Sequence, residues 1–194
     1  MGSKGEEIRQ RIVAAADALF YQQGYEKTSF SDIADAVGIS RGNFYYHFKS
    51  KDEILDAVID SRVSGIEAML SEWDKTITDP KQRIHHYIDI MSQNQDNIAL
   101  HGCPIGSLCT ELAKISHAML NDANKMFTVF REWLIIQLTL LGVKKNTKQV
   151  AMHLLARGQG IATVTNAFED KVFLQQEVKR LKLWMDEEIQ KSIY

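Results

Sequence analysis

Helix-capping signals divide this chain at short intervals, and they constrain its fold more than any other sequence feature. Residues 29–32 (Ser-Phe-Ser-Asp) and 50–53 (Ser-Lys-Asp-Glu) have the spacing of capping boxes, in which a serine and an acidic residue three positions later cap a helix together. Asp79-Pro80 combines a capping residue with a proline at the first helical position. Apolar residues between these signals recur at helical spacing, and no segment shows the alternation of a strand. The sequence therefore predicts an all-α protein.

The same pattern predicts about nine helices and two domains. A head of three helices occupies residues 1–50, and a larger helical domain occupies residues 51–194. Hydrophobic residues make up 45% of the chain and only two prolines occur, so long helices can bury a sizeable core. The helices are expected near residues 6–23, 30–37, 41–48, 50–75, from 80 to before a break at 100–104, and near 104–114, 116–141, 147–168 and 171–192.

Composition narrows the function classes. No run of 18 apolar residues occurs, so no membrane span is expected. Cys103 and Cys109 do not make a disulfide framework, which favours a reducing cytoplasm. The histidines lack zinc-site spacing, and neither a Gly-rich phosphate loop nor a hydrolase signature occurs. We therefore expect no metal, no cofactor and no enzymatic activity.

The segment from residue 29 to residue 48 is the most informative for function. Two short helices are separated by a turn at Gly38, and the second contains Phe44 and Phe48, which lie four residues apart and can anchor it to a core. A recognition helix needs such a buried seam opposite an exposed face that fits the DNA major groove. The net charge of −2 is not that of a typical DNA-binding protein, but residues 38–51 contain cations and no carboxylate. The outward or flanking residues are Arg41, Gly42, Asn43, Tyr45, Tyr46 and His47.

Residues 8–60 resemble the TetR family of bacterial repressors. The resemblance rests on Gly24-Tyr25, Thr28-Ser29, Asp32-Ile33-Ala34, residues 36–40 (Ala-Val-Gly-Ile-Ser) and residues 42–51 (Gly-Asn-Phe-Tyr-Tyr-His-Phe-Lys-Ser-Lys). The remaining two thirds of the chain match this family only in the number and lengths of the helices. The resemblance implies a transcriptional regulator with a helix-turn-helix head and a helical ligand-binding and dimerisation domain.

The resemblance also implies roles for individual residues in binding double-stranded DNA. Thr28 and Tyr45 are expected to contact phosphate, and Gly42 to let the backbone approach the DNA. Arginine can donate two bonds to guanine and asparagine can pair with adenine, whereas contacts to phosphate position the protein without specifying sequence. Arg41, Asn43 and Tyr46 are therefore the candidates for base contacts, while His47 and Lys51 are expected to touch the DNA backbone and Ser40 begins the helix.

Two apolar stripes near the C-terminus predict a homodimer through a four-helix interface, by resemblance to the family and by their helical spacing. Such a dimer would present two recognition helices about one DNA turn apart, to a roughly palindromic operator. The alternative is that both stripes pack inside a single chain. The stripe residues are Leu154, Gly158, Ile161 and Thr165 in one helix and Leu174, Val178, Leu181 and Met185 in the next.

Aromatic and apolar residues in the larger domain are candidates for a ligand pocket, and their apolar character favours a small hydrophobic inducer. They are Tyr87, Met91, Cys103, Leu108, Leu112, Phe127, Phe130 and Trp133. The alternative is that they form plain core. Cys103 begins a helix in a Gly-Cys-Pro sequence, a position that favours thiolate, so an electrophilic inducer is a second hypothesis and an inert cysteine its alternative.

Together these features predict a repressor that an inducer releases from its operator, with activation left open. Two other classes remain: an enzyme or carrier with a helical pocket, which would turn over or bind a small molecule without DNA, and a helical interaction module whose 41–47 face is covered by a protein partner.

Overall fold

The computed structural model describes residues 4–144 and 146–193, and over these residues it confirms the all-α class. No strand occurs in these two ranges. None of the helices in them has the length and apolar character needed to cross a membrane. The described helices are α1 Lys4–Gln23, α2 Phe30–Val37, α3 Arg41–His47, α4 Lys51–Thr76, α5 Pro80–Gln93, α6 Gln95–His101, α7 Pro104–Lys114, α8 Leu120–Leu140, α9 Thr147–Phe168 and α10 Lys171–Ile193.

The described residues form ten helices because a turn at Asn94 divides the segment after Pro80. The Asn94 N–H donates to the Ile90 carbonyl at 3.0 Å, and the Ile98 N–H donates to the Asn94 carbonyl at 2.9 Å. One helix therefore ends, and the next begins, at the same residue. The helix predicted from residue 116 begins only at Leu120, since Ser116 has a φ of 52°, outside the helical region.

The chain packs as two compact units. The first consists of residues up to 65 together with 107–125, and the second of residues 66–106 together with those from 126 onward. Helices α4, α7 and α8 each contribute residues to both units. The predicted functional boundary at residue 50 stays a prediction, because compact packing alone does not say where a function begins. The core of the first unit includes Ile12, Ala16, Phe20, Ile33, Phe44, Phe48, Ile54, Leu55, Leu108, Leu112 and Ala123.

In the second unit, α5, α6, α9 and α10 pack around one apolar cluster. Ile84 and Ile88 of α5 are fully buried in it, as are Leu134 and Leu138 of α8. Their burial stabilises the unit because apolar surface is removed from water. A charged group at the edge of this region, the Asp74 carboxylate, is paired with three side chains.

Asp74 accepts hydrogen bonds from the Trp133 Nε1 at 3.1 Å and from the Gln137 Nε2 at 3.2 Å. Arg83 forms an ion pair with the same carboxylate at 3.2 Å and donates to the Ile77 carbonyl at 2.6 Å. The end of α4, the start of α5 and the middle of α8 are thereby joined. Trp133, predicted as a pocket residue, therefore has a structural role in this network.

The residues predicted for the dimer interface are mostly buried within the single chain. Seven of the eight are at most 8% exposed within the single chain: Leu154, Ile161, Thr165, Leu174, Val178, Leu181 and Met185. Gly158 is partly exposed. This burial favours the alternative that both stripes pack inside a single chain, and their part in an interface stays a prediction. An amphipathic stripe has the same sequence spacing in either case, so the sequence does not distinguish them.

Candidate nucleic-acid interface

The α2–turn–α3 segment is held by caps that its own sequence supplies. The Ser29 hydroxyl accepts from the Asp32 N–H at 3.2 Å, while the Asp32 carboxylate accepts from the Ser29 N–H at 2.7 Å. Gly38 ends α2 with a φ of 72°, and its N–H donates to the Ala34 carbonyl at 2.9 Å. A left-handed glycine is the common residue at this position. Both predicted signals, the capping box and the Gly38 stop, are confirmed.

Helix α3 has a buried face and an exposed face. Phe44 and Phe48 are each 1% exposed, and the Phe44 ring packs edge-on against Phe30 at a centroid distance of 5.2 Å. Tyr46, on the opposite side, is 78% exposed, and Tyr45 is also exposed. The expectation that the phenylalanines point inward is confirmed. The exposed set also includes Ser40, Arg41, Gly42 and Asn43, and His47 is half-buried.

Gly42 has open space where a side chain would stand. A Cβ built at this residue would meet no atom of the protein within 4 Å. Packing within the chain therefore does not require glycine here, which is compatible with close approach of an outside molecule. Arg41 next to it donates from Nη2 to the Ser31 hydroxyl at 3.1 Å, so its guanidinium lies beside the start of α2.

A small hollow lies between α2 and α3, with a volume of about 60 Å³. Sequence reasoning missed its α2 members, because Phe30 and Ser31 were assigned only to a helix cap. The hollow is lined by Phe30, Ser31, Ala34, Arg41, Phe44 and Tyr45.

The structure gives Thr28 a different role from the predicted phosphate contact. Its side chain is 1% exposed, its hydroxyl donates to the Gly24 carbonyl at 2.7 Å, and it accepts from the Gln23 Nε2 at 3.2 Å. Its backbone N–H donates to the Tyr25 carbonyl at 3.2 Å. Both groups are thus engaged in the turn after α1, and the phosphate contact of Thr28 stays a prediction.

Lys51 is also engaged within the chain. Its Nζ donates to the carbonyls of Tyr25 and Glu26 at 2.9 and 3.2 Å, and it lies 4.3 Å from the centre of the Tyr25 ring. The resemblance had assigned Lys51 to the DNA backbone. In the structure, its side chain connects the first turn of α4 to the turn after α1 through these hydrogen bonds.

The predicted pocket residues are divided between the two units. Leu108 and Leu112 are buried in the core of the first unit, whereas the other six lie in the second. Tyr87 and Phe130 have ring centroids 5.2 Å apart. Burial raises the pKa of Tyr87, with a smaller contribution from nearby Cys103. The Cys103 Sγ accepts from the Gly106 N–H at 3.5 Å and from the Gln159 Nε2 at 3.3 Å.

Comparisons with known proteins agree with this geometry. The family model "Bacterial regulatory proteins, tetR family" matches residues 12–58, the segment from α1 into α4. An uncharacterised HTH-type transcriptional regulator from the lacX 3′ region of Lactococcus lactis is 28% identical, over 90% of this chain and 91% of that protein. The HTH-type transcriptional repressor DhaR of Mycobacterium sp. is 25% identical over 65% of this chain and 61% of its own length.

The fold has close counterparts among solved structures. A TetR transcriptional regulator from Legionella pneumophila superposes with a TM-score of 0.81 and 26% identity, covering 94% of this chain and 97% of that one. The similarity therefore extends through both compact units and is not limited to the helix-turn-helix.

The capping box makes a pH-dependent contribution to stability. Hydrogen bonds from the Ser29 backbone and side chain lower the pKa of Asp32, so the contribution is present above the ordinary carboxyl range and is lost as pH falls through the lowered pKa. Asp32→Ala is expected to lower the Tm near pH 7, and the difference from wild type should shrink between about pH 5 and about pH 3. Thermal unfolding followed by circular dichroism measures this.

The matched control is Asp35→Ala, which removes an exposed carboxylate of the same helix. A Tm difference for Asp32→Ala that stayed constant down to pH 3 would contradict the role of the cap.

Proposed function

Because this chain belongs to the TetR family of transcriptional regulators, we propose that it binds operator DNA as a homodimer and represses transcription until an inducer releases it. The observation that carries the proposal is the exposed polar and aromatic face of α3, held outward by buried Phe44 and Phe48. In functional terms, residues 1–50 are the reading head, and residues 51–194 bind the inducer and the second copy. The repressor named among the relatives supports repression over activation.

Base reading is assigned to the groups at the exposed start and centre of α3. Arg41 and Asn43 carry donors that match guanine and adenine edges, and Tyr46 projects furthest into solvent. Tyr45, His47 and the exposed Lys49 are assigned to phosphate, which positions the helix without reading sequence. Gly42 leaves room for the DNA backbone.

Arg41→Ala is expected to weaken binding to the operator by about tenfold or more, because a bidentate base contact contributes about 1–3 kcal/mol of discrimination. Its affinity for random DNA should fall much less. Fluorescence anisotropy measures both, on an operator located by footprinting upstream of the gene.

Two controls accompany Arg41→Ala. Lys114→Ala removes an exposed cation of the first unit and should leave binding close to wild type. Ser31→Ala removes only the partner that Arg41 has in the free protein. Operator binding by Arg41→Ala equal to that of wild type would reject the assignment of this residue.

A second copy of the chain is proposed to cover the outer face of α9 and α10. This face exposes large apolar side chains that the core of the unit does not use, and Phe168 is 77% exposed. Small residues at Ala156 and Gly160 on the exposed side of α9 would allow close approach of another helix. The exposed apolar residues are Met152, Val164, Phe168, Val172 and Leu183.

Phe168→Glu is expected to convert the dimer to monomer, since a carboxylate would be buried without a partner in the interface. Sedimentation velocity measures the mass. Leu140→Glu is the control, because Leu140 is a similarly exposed apolar residue on α8, outside the proposed face. A Phe168→Glu protein that remained dimeric would exclude this interface.

The inducer is proposed to bind in the second unit near Tyr87, Met91 and Cys103. A Cβ added at Gly158 would come within 3.9 Å of the Met91 Sδ, and the Cys103 Sγ accepts from two N–H donors. A hydrophobic or thiol-reactive molecule fits this setting. Binding would favour a conformation in which the two reading heads no longer match the operator.

Alkylation with N-ethylmaleimide is expected to weaken operator binding by wild type and to have no effect on Cys103→Ser. Cys109 is buried at 8% exposure, so Cys109→Ser should respond as wild type does. Mass spectrometry confirms the modified residue, and anisotropy gives the affinity. If stoichiometric alkylation of Cys103 left the affinity unchanged, the thiol-reactive form of the proposal would fail.

A further inference from the structure

A single carboxylate from α7 holds the turn that connects α1 to α2. The two oxygens of Glu111 accept from the backbone N–H groups of Tyr25 and Glu26, each at 2.9 Å. Glu111 is 86 and 85 residues away from them in sequence. All three residues belong to the first compact unit. Two consecutive backbone N–H groups that follow the end of α1 thus donate to a side chain from outside the helix-turn-helix.

The turn is shaped to admit this carboxylate. Gly24 has a φ of 95°, a conformation that residues with a side chain rarely adopt. A Cβ at Gly24 would also stand 2.9 Å from the Glu111 Oε1. The backbone conformation therefore favours glycine, and a side chain at this position would displace the Glu111 carboxylate.

The carbonyls of the same two residues are held by α4. Lys51 donates to the carbonyls of Tyr25 and Glu26, the two residues whose N–H groups Glu111 receives. The Tyr25 hydroxyl donates to the Asp52 carboxylate at 2.5 Å, and the Tyr25 ring packs against His117 at a centroid distance of 5.2 Å. Charged side chains therefore bind both the N–H groups and the carbonyls of this turn.

The position of this turn determines where α2 begins. Thr28 closes it by donating to the Gly24 carbonyl, and the next residue, Ser29, is the cap of α2. The other end of α2 is held by Arg11, which donates to the Val37 carbonyl at 2.7 Å. Because α2 and α3 pack through Phe30 and Phe44, a shift at the start of α2 would also move the exposed face of α3.

We propose that Glu111 is a positioning residue for DNA binding, which keeps α2 and α3 in the arrangement that fits the operator without touching DNA. This inference rests on the proposed function of the α3 face.

The positioning role and simple electrostatics predict opposite effects of neutralising Glu111 on the affinity for DNA. Removing a negative charge from a DNA-binding protein should, by its effect on the field alone, strengthen binding. If Glu111 positions the turn, neutralising it must weaken binding instead. Glu111→Gln retains one acceptor oxygen and Glu111→Ala retains none, so the loss should be graded.

The test compares wild type, Glu111→Gln and Glu111→Ala as full-length proteins binding the footprinted operator. We expect affinity about tenfold weaker for the glutamine variant and weaker still for alanine, since hydrogen bonds to a charged group are lost. Amide hydrogen exchange at Tyr25 and Glu26, followed by NMR in the free protein, should accelerate by about tenfold or more, while exchange in α10 stays unchanged. Glu67→Gln, which neutralises an exposed carboxylate of α4, is the charge-matched control and should bind as wild type does or slightly more tightly.

The outcomes separate this inference from the proposed function. Binding by Glu111→Gln equal to or tighter than wild type, when wild type binds its operator specifically, would overturn the inference alone. Specific binding absent from wild type would overturn the proposed function and the inference with it. If Glu111→Ala failed to fold, the affinity and the exchange rates of Glu111→Gln would decide the question.

Discussion

The burial of Phe44 and Phe48 is the interaction on which the exposed face of α3 depends. Both rings point into the first unit and are 1% exposed, so the other side of this short helix must face solvent. A helix of seven residues has little stability of its own, and its orientation comes from these side-chain contacts. The Ser40 cap and the Gly38 turn then set where α3 begins. The polar face assigned to DNA thus follows from two apolar anchors.

Those anchors are not sufficient to place the head, because α2 starts from a turn that local hydrogen bonds hold only in part. Glu111, Lys51 and Asp52 bind the Tyr25–Glu26 segment and its side chain from outside the helix-turn-helix. Buried or capped polar groups of this kind resist displacement, since a lost partner leaves a backbone donor unsatisfied. The reading face and residues 107–114 of α7 are consequently parts of one packed unit, although they are far apart along the chain.

Sequence reasoning predicted the features whose signals are local, and it did not predict the contacts that depend on distant partners. The capping box at Ser29, the stop at Gly38 and the inward phenylalanines were all predicted from short-range patterns. Thr28 was assigned to phosphate, yet its hydroxyl is closed into the preceding turn. The α9 and α10 stripes were assigned to a second copy, yet they are buried in the single chain, and Leu108 and Leu112 lie in a different unit from the other pocket candidates. Periodicity identifies an apolar face but not what covers it.

The residue pattern alone predicts the helical class, the order of the elements and the two faces of α3, because caps and periodicity act within a few positions. Only the packed chain shows which residues cover each apolar stripe. It also shows how Lys51 and Glu111 bind the turn that follows Gly24 and what Thr28 contacts. Hydrogen bonds across 85 or more residues leave no periodic mark in the sequence. They depend on where whole helices come to rest, which is set by the sum of many apolar contacts.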